Sequence, residues 1–123
     1  MHLVLIGIGG FAGAIARYAL DGWVATRTAA SFPFGTLAVN LTGSLLIGIL
    51  FALAIERDVL SAELRGPLMI GFVGAYTTFS TLALETWRLA EDGTWLLAVA
   101  NLGGSAVLGV VAVVAGLAIG RAL

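Results

Sequence analysis

Cysteine is absent from the 123 residues, which removes disulfide frameworks, thiol nucleophiles and thiolate metal sites together. Histidine occurs once, at position 2, so histidine-based catalysis has almost nothing to work with. Charge is scarce as well. Six arginines, no lysine and seven acidic residues make up 11% of the chain and leave a formal net charge of −1. No basic cluster forms, which argues against nucleic acid as a partner. A soluble domain carries about a quarter of its residues as charges. Here their place is taken by apolar residues, 60% of the chain, with a mean hydropathy of +1.08. That composition is of a membrane protein. One helical crossing takes about 20 residues, so this length holds about four spans joined by short loops and leaves no room for a soluble domain.

Four apolar runs, over residues 3–20, 34–55, 67–89 and 95–119, predict an all-α membrane protein organised as one four-helix transmembrane domain over residues 1–123. The charges fall in the breaks: Asp21 to Pro33 with Arg27, Glu56 to Pro67 with Arg57, Asp58 and Arg65, and a tight turn at Glu91-Asp92-Gly93. Pro67 stands where a helix tolerates proline, in its first turn. Trp23, Trp87 and Trp95 fall near span ends, where amphipathic rings favour the membrane interface. The runs lack period-two alternation, so spanning strands are excluded and helices remain. The N-terminus has no positive region ahead of its apolar run, which predicts a retained helix rather than a cleaved signal.

Four spans put both termini on one side together with the 56–66 loop. Arg57, Arg65 and Arg121 then share that side, and Arg17, Arg27 and Arg88 share the other. Orientation is set by an excess of basic residues on the cytoplasmic side, and no excess exists here. Short loops with few charges give one account. Insertion in both orientations, with an inverted copy as partner, gives another, and it would place a two-fold axis in the membrane plane.

Glycine numbers 17 and recurs inside the spans. Gly9 and Gly13, Ser44 and Gly48, Gly71 and Ala75, and Gly116 and Gly120 are small pairs four apart that let helix backbones touch. The run Gly7-Ile8-Gly9-Gly10-Phe11-Ala12 imitates a dinucleotide fingerprint, but that motif requires a following βαβ unit, and a loop and a span follow instead. More informative are polar residues at helical spacing. Thr36, Asn40 and Ser44 form a stripe down the second span, and Asn101 and Ser105 form another on the fourth. Such side chains must face protein or a water-filled path. They serve either as interhelical glue or as the lining of that path. The third span carries Gly71-Phe72-Val73-Gly74-Ala75-Tyr76-Thr77-Thr78-Phe79-Ser80-Thr81 at mid-membrane depth. Four hydroxyl residues in five positions after Gly74 form a weak helix with strong local alternatives. Two outcomes fit the spacing: a break near Gly74 to Thr78 that frees carbonyls, or an intact helix whose hydroxyls bond back to preceding carbonyls. The ions inside the spans are few: Arg17 and Glu85, each several residues inside its span end, and Arg88 closer to the surface. Arg17 and Glu85 lie on the same side, so a contact between them is topologically allowed.

Four local patterns on four consecutive spans now stand together: Gly9-Gly10-x-x-Gly13-Ala14-x-x-Arg17-Tyr18, Gly35-Thr36-Leu37-x-Val39-Asn40-x-x-Gly43-Ser44, the third-span run from Gly71 to Thr81, and Asn101-x-x-x-Ser105. Nearly the whole chain resembles the Fluc/CrcB family of bacterial fluoride channels, and the third-span motif is the most specific part of the likeness. The resemblance implies an antiparallel, dual-topology dimer of four-helix subunits, the third helix broken near its middle, with two fluoride pores and a sodium ion at the two-fold axis. It assigns the sodium-binding backbone carbonyls to Gly74 and Thr77, four oxygens from two subunits, a chemically sensible set for a hard cation. It makes Asn40 the pore amide, with Thr36 on the same track. Phe79 would offer its positive ring edge, and Ser80, Thr81 and Ser105 would supply hydroxyl donors. Arg17 would stand in the vestibule and concentrate anions, and Glu85 matches the family's acidic residue past the phenylalanine. The chain departs from the pattern at Leu82, where the family carries a second phenylalanine, and at Ala75-Tyr76, where Gly-Leu is usual. The missing ring leaves two assemblies open, a homodimer and a heterodimer with a paralogous chain.

The predicted function is passive exit of cytoplasmic fluoride across the bacterial inner membrane, with the lipid bilayer and fluoride itself as partners. A nucleotide motif is missing, and the first two predicted spans lack the carboxylate that a small proton-coupled multidrug exporter needs in its first helix. An assembly subunit without transport would leave both polar stripes without a purpose. No enzyme chemistry is predicted.

Overall fold

Leucine, isoleucine, valine and alanine dominate residues 2–25 with no proline among them, so the main chain has no reason to leave the helix. The computed structural model describes residues 1–123 and places helix α1 over His2–Ala25. The helix runs past Leu20, so Asp21, expected in the loop, lies on its last turns. Its C-terminal end is closed by Thr26 Oγ1, donating to the Trp23 carbonyl at 2.9 Å, and by Arg27, whose guanidinium lies 4.1 Å from the Trp23 ring centroid. A cation there complements the negative end of the helix. Helix α2 covers Phe34–Phe51 and continues into a π-helical turn, Ala52–Glu56.

The third apolar stretch begins earlier than its proline suggested. A short helix α3 (Ala62–Arg65) leads into a π-helical segment, Gly66–Val73, and then helix α4 (Gly74–Tyr76). Two residues later helix α5 starts, over Phe79–Glu91. Helix α6 spans Trp95–Ala122. The turn between α5 and α6 follows from Gly93, whose φ of 80° suits a residue without Cβ. Its N–H donates to the Ala90 carbonyl at 3.0 Å and that of Thr94 to the Leu89 carbonyl at 2.9 Å, the Schellman pattern that closes a helix. Four helical stretches are long and apolar enough to cross a membrane, His2–Ala25, Phe34–Glu56, Ala62–Glu91 and Trp95–Ala122.

The helices meet through backbone rather than through interlocked large side chains. A Cβ at Gly48 would strike the Val113 carbonyl, and one at Gly116 would strike the Leu45 carbonyl, so α2 and α6 cross in direct backbone contact. Gly9 and Gly13 play the same part where α1 lies against the π-helical segment, facing the Pro67 and Phe72 carbonyls. Close approach of this kind substitutes for the hydrophobic driving force that lipid removes. Accordingly only 20 of 123 residues are buried, and large apolar side chains cover the outside.

One end of the bundle gathers Arg57, Arg65 and Arg121. Arg57 donates to the Gly120 carbonyl at 3.1 Å, Arg121 forms a two-pronged ion pair with Glu56 at 2.7 Å, and Arg65 pairs with Asp58. The side chain of His2 comes up against Gly66 at the same end. Arg17, Arg27 and Arg88 lie toward the other end.

Candidate functional site

Between α4 and α5 the main chain leaves helical geometry at two residues. Thr77 has φ −86° and ψ 158°, and Thr78 has φ −149° and ψ 113°. Local chemistry explains why the extended pair is tolerated in an apolar surround. The Thr77 hydroxyl donates to the Val73 carbonyl at 3.0 Å. Thr78 caps α5: its Oγ1 accepts from the Thr81 N–H at 3.2 Å and donates to Thr81 Oγ1 at 3.0 Å. Asn40, on α2, binds both backbone polar groups of Thr78. Its Nδ2 donates to the Thr78 carbonyl at 3.0 Å, and its Oδ1 accepts from the Thr78 N–H at 2.8 Å. The N–H that would otherwise close a helical bond to the Gly74 carbonyl is thereby diverted. The Thr77 carbonyl accepts no backbone hydrogen bond either. Gly74 is exposed, and a Cβ there would meet only the Met69 carbonyl, at 3.8 Å.

Two cavities adjoin this region. The larger, about 620 Å³, is lined by Asn40, Ser44, Gly74, Thr77, Thr78, Phe79, Leu82 and Ser105 among others. The smaller, about 210 Å³, is lined by Arg17, Tyr18, Asp21, Thr36, Thr78 and Thr81 with two apolar neighbours. Thr78 belongs to both. Six of the residues singled out from sequence (Asn40, Gly74, Thr77, Phe79, Leu82 and Ser105) thus share one cavity, and three more (Arg17, Thr36 and Thr81) share the other.

The individual placements differ in what they leave free. The Ser105 hydroxyl is buried with no hydrogen-bond partner. Phe79 is 75% exposed, its ring turned outward from this subunit, whereas Leu82 is 7% exposed and packed within it. Ser80 is exposed, outside both cavities, with its Oγ 3.4 Å from Thr78 Oγ1. Glu85 does not pair with Arg17: its Oε1 accepts from the Thr36 hydroxyl at 2.8 Å. Glu85 Oε2 and Arg17 Nε are both buried without partners. The fourth-span stripe divides. Ser105 faces the larger cavity, but Asn101, 1% exposed, donates to Thr86 Oγ1 at 3.0 Å and stitches α6 to α5.

Sequence reasoning gave no separate role to Thr78, which joins the cavities and carries the amide clamp. A threonine directly ahead of a new helix, with Thr81 three residues on, was the signal for a capping residue. No group of three His, Cys, Asp or Glu side chains converges on a metal position.

Comparison with known proteins now bears on this geometry. Residues 4–117 match the family model described as CrcB-like protein, Camphor Resistance (CrcB). The chain is 44% identical over 121 residues to a protein of Trichormus variabilis named fluoride-specific ion channel FluC, covering 98% of this chain and 88% of that one. Proteins of the same name from Hahella chejuensis and Stutzerimonas stutzeri are 45% identical over 120 residues and 47% identical over 116, with 94% of each relative covered in both cases and 98% and 94% of this chain.

Proposed function

Because the chain belongs to the CrcB family, we propose that it is a fluoride-specific ion channel and that the two cavities meeting at Thr78 are this subunit's share of the conduction path. It is a multi-pass membrane protein and not an enzyme. The observation that carries the reading of the path is the convergence of Asn40, Phe79, Ser105 and the extended Thr77–Thr78 pair on one cavity. Fluoride holds its water tightly, so a path must offer donors that replace it. Asn40 Nδ2 has a second N–H beyond the one given to Thr78. The Ser105 hydroxyl is uncommitted. Helix α5 begins at Phe79, and the positive end of its dipole favours an anion there. The Phe79 ring edge adds a weaker attraction of the same sign. At the mouth, Arg17 raises the local anion concentration. The Thr36 hydroxyl is given to Glu85, so Thr36 meets an anion only by releasing that bond; Thr81 and Ser80 extend the hydroxyl chain past Thr78.

The extended pair is the break in the third span, and its carbonyls fit a hard monovalent cation. Gly74 has lost its helical donor to Asn40, and Thr77 has none. Neutral carbonyl oxygens are the donor type that suits sodium, and a charged cluster is not required. Gly74 and Thr77 would hold the ion, whose charge would fix the break. The exposed ring of Phe79 and the exposed backbone at Gly74 call for a second chain, and three arginines toward each end of the bundle permit it to insert inverted. This gives an antiparallel dimer in the bacterial inner membrane, through which cytoplasmic fluoride drains passively.

The test is purified chain in liposomes loaded with potassium fluoride or potassium chloride, with efflux started by a potassium ionophore. Rapid fluoride loss with chloride retained is expected. Retention of fluoride, or equal loss of both anions, would overturn the reading.

A further inference from the structure

Behind the break, on the side away from the larger cavity, a second polar contact ties the same segment to α2. Tyr76, the last helical residue before the extended pair, is 8% exposed. Its ring stacks on Phe72 with centroids 5.8 Å apart and planes 11° apart. Its hydroxyl lies 2.7 Å from Thr42 Oγ1. Thr42 Oγ1 also lies 2.8 Å from the Ala38 carbonyl and 3.1 Å from the Val39 carbonyl, so the pair is tied to the α2 backbone. Between these anchors α2 presses directly on the break: a Cβ at Gly43 would strike Thr77 Cγ2 and come within 3.1 Å of Tyr76 Cδ1. Three neighbouring positions of α2 therefore grip three consecutive residues, Thr42 holding Tyr76, Gly43 seating Thr77 and Asn40 clamping Thr78.

We propose that the Tyr76 hydroxyl, acting through Thr42, is a positioning group that holds the end of α4 against α2 and so fixes where the Thr77 carbonyl stands. Asn40 Oδ1, accepting from the Thr78 N–H, sets the plane of the peptide that carries the Thr77 carbonyl, and the Thr77 N–H, donated to the Val73 carbonyl at 3.0 Å, ties the peptide before it to α4. What these bonds leave open is where the end of α4 stands against α2, and a tyrosine hydrogen-bonded to the facing helix fixes that. A purely apolar side chain here would fill the space but supply no directional bond. The proposal rests on the reading of the break as a cation-bearing centre.

The experiment compares the full chain with Tyr76→Phe and Thr42→Val, each of which keeps the packing and removes the bond, and with Thr42→Ser, which keeps the hydroxyl. Two quantities are read: fluoride efflux from liposomes, and the sodium concentration that half-saturates the rise in melting temperature of the purified protein. Tyr76→Phe and Thr42→Val are each expected to slow efflux about tenfold and to raise the sodium midpoint about tenfold, the double variant adding little and Thr42→Ser restoring both. Unmoved efflux and midpoint would overturn the proposal. So would a lower melting temperature in sodium-free buffer with the midpoint unchanged, since the pair would then only hold helices together. An unmutated chain that conducts fluoride but gains nothing from sodium would overturn the cation reading and this proposal with it. One that conducts no fluoride would sink the path before any variant is compared.

Discussion

Asn40→Ala is the perturbation with the most to say about the path. It removes both bonds to the Thr78 backbone, those of 3.0 and 2.8 Å, and the second amide N–H. A net intramolecular hydrogen bond is worth about 1 kcal/mol, and a buried group left unpaired costs about 1–3 kcal/mol. The two together set about 2–4 kcal/mol against the extended geometry, which at about 1.4 kcal/mol per decade is a roughly thirtyfold to thousandfold loss of rate. Part of this is recoverable. The freed Thr78 N–H has the Gly74 carbonyl within one helical turn, and closing that bond would straighten the span. Asn40→Asp separates the contributions, because it keeps an acceptor for the Thr78 N–H while turning the donor into a second oxygen that faces a carbonyl and repels anions. In the liposome efflux assay, Asn40→Ala is expected to conduct slowly and Asn40→Asp more slowly still, with both proteins extracting as the same assembly in detergent. Conduction at the unmutated rate by both variants would refute the reasoning and reduce Asn40 to interhelical glue.

Other expectations follow from the same geometry. Ser105→Ala removes a buried, unpartnered hydroxyl, so melting temperature should hold or rise while efflux falls several-fold; unchanged efflux would remove Ser105 from the path. Leu82→Phe must direct its ring into the larger cavity, since Leu82 is packed within the subunit. The unmutated chain is expected to conduct alone as a homodimer and the variant to conduct faster; equal efflux from both would make a second ring dispensable. Two or three lysines added after Leu123 should force one orientation and abolish fluoride resistance in cells, with recovery when an oppositely biased copy is supplied. Full resistance from the biased chain alone would contradict the antiparallel pair.

The spans were legible because hydropathy alone marks them, and the glycine pairs because close approach of backbones leaves a four-residue signature. What sequence could not supply was which partner each polar group takes. Same-side placement made an Arg17–Glu85 contact reasonable, yet Thr36 takes the carboxylate instead. Asn101 and Ser105 share one helix face by spacing, and one turn of difference in height sends the first to Thr86 and leaves the second on the cavity. Helix ends were misjudged for a related reason. Asp21 is charged and was read as loop, but a helix near the membrane surface needs no apolar residue at each position and continues to Ala25. The π-helical segments left no trace, because a segment apolar on all sides shows no shift of pattern when its pitch widens.

The turn at Gly93 bears on how the chain enters the bilayer. Only Asp92, Gly93 and Thr94 separate α5 from α6, so neither span can settle in lipid while the other remains in water. Of the four stretches, Ala62–Glu91 is the least apolar and Trp95–Ala122 the most. The hydroxyl-rich span is therefore expected to enter with its neighbour as a hairpin, the free energy of inserting α6 offsetting the cost of the hydroxyls in α5. A chain truncated before Trp95 should leave its third span at the membrane surface, open to protease on the side from which it was synthesised.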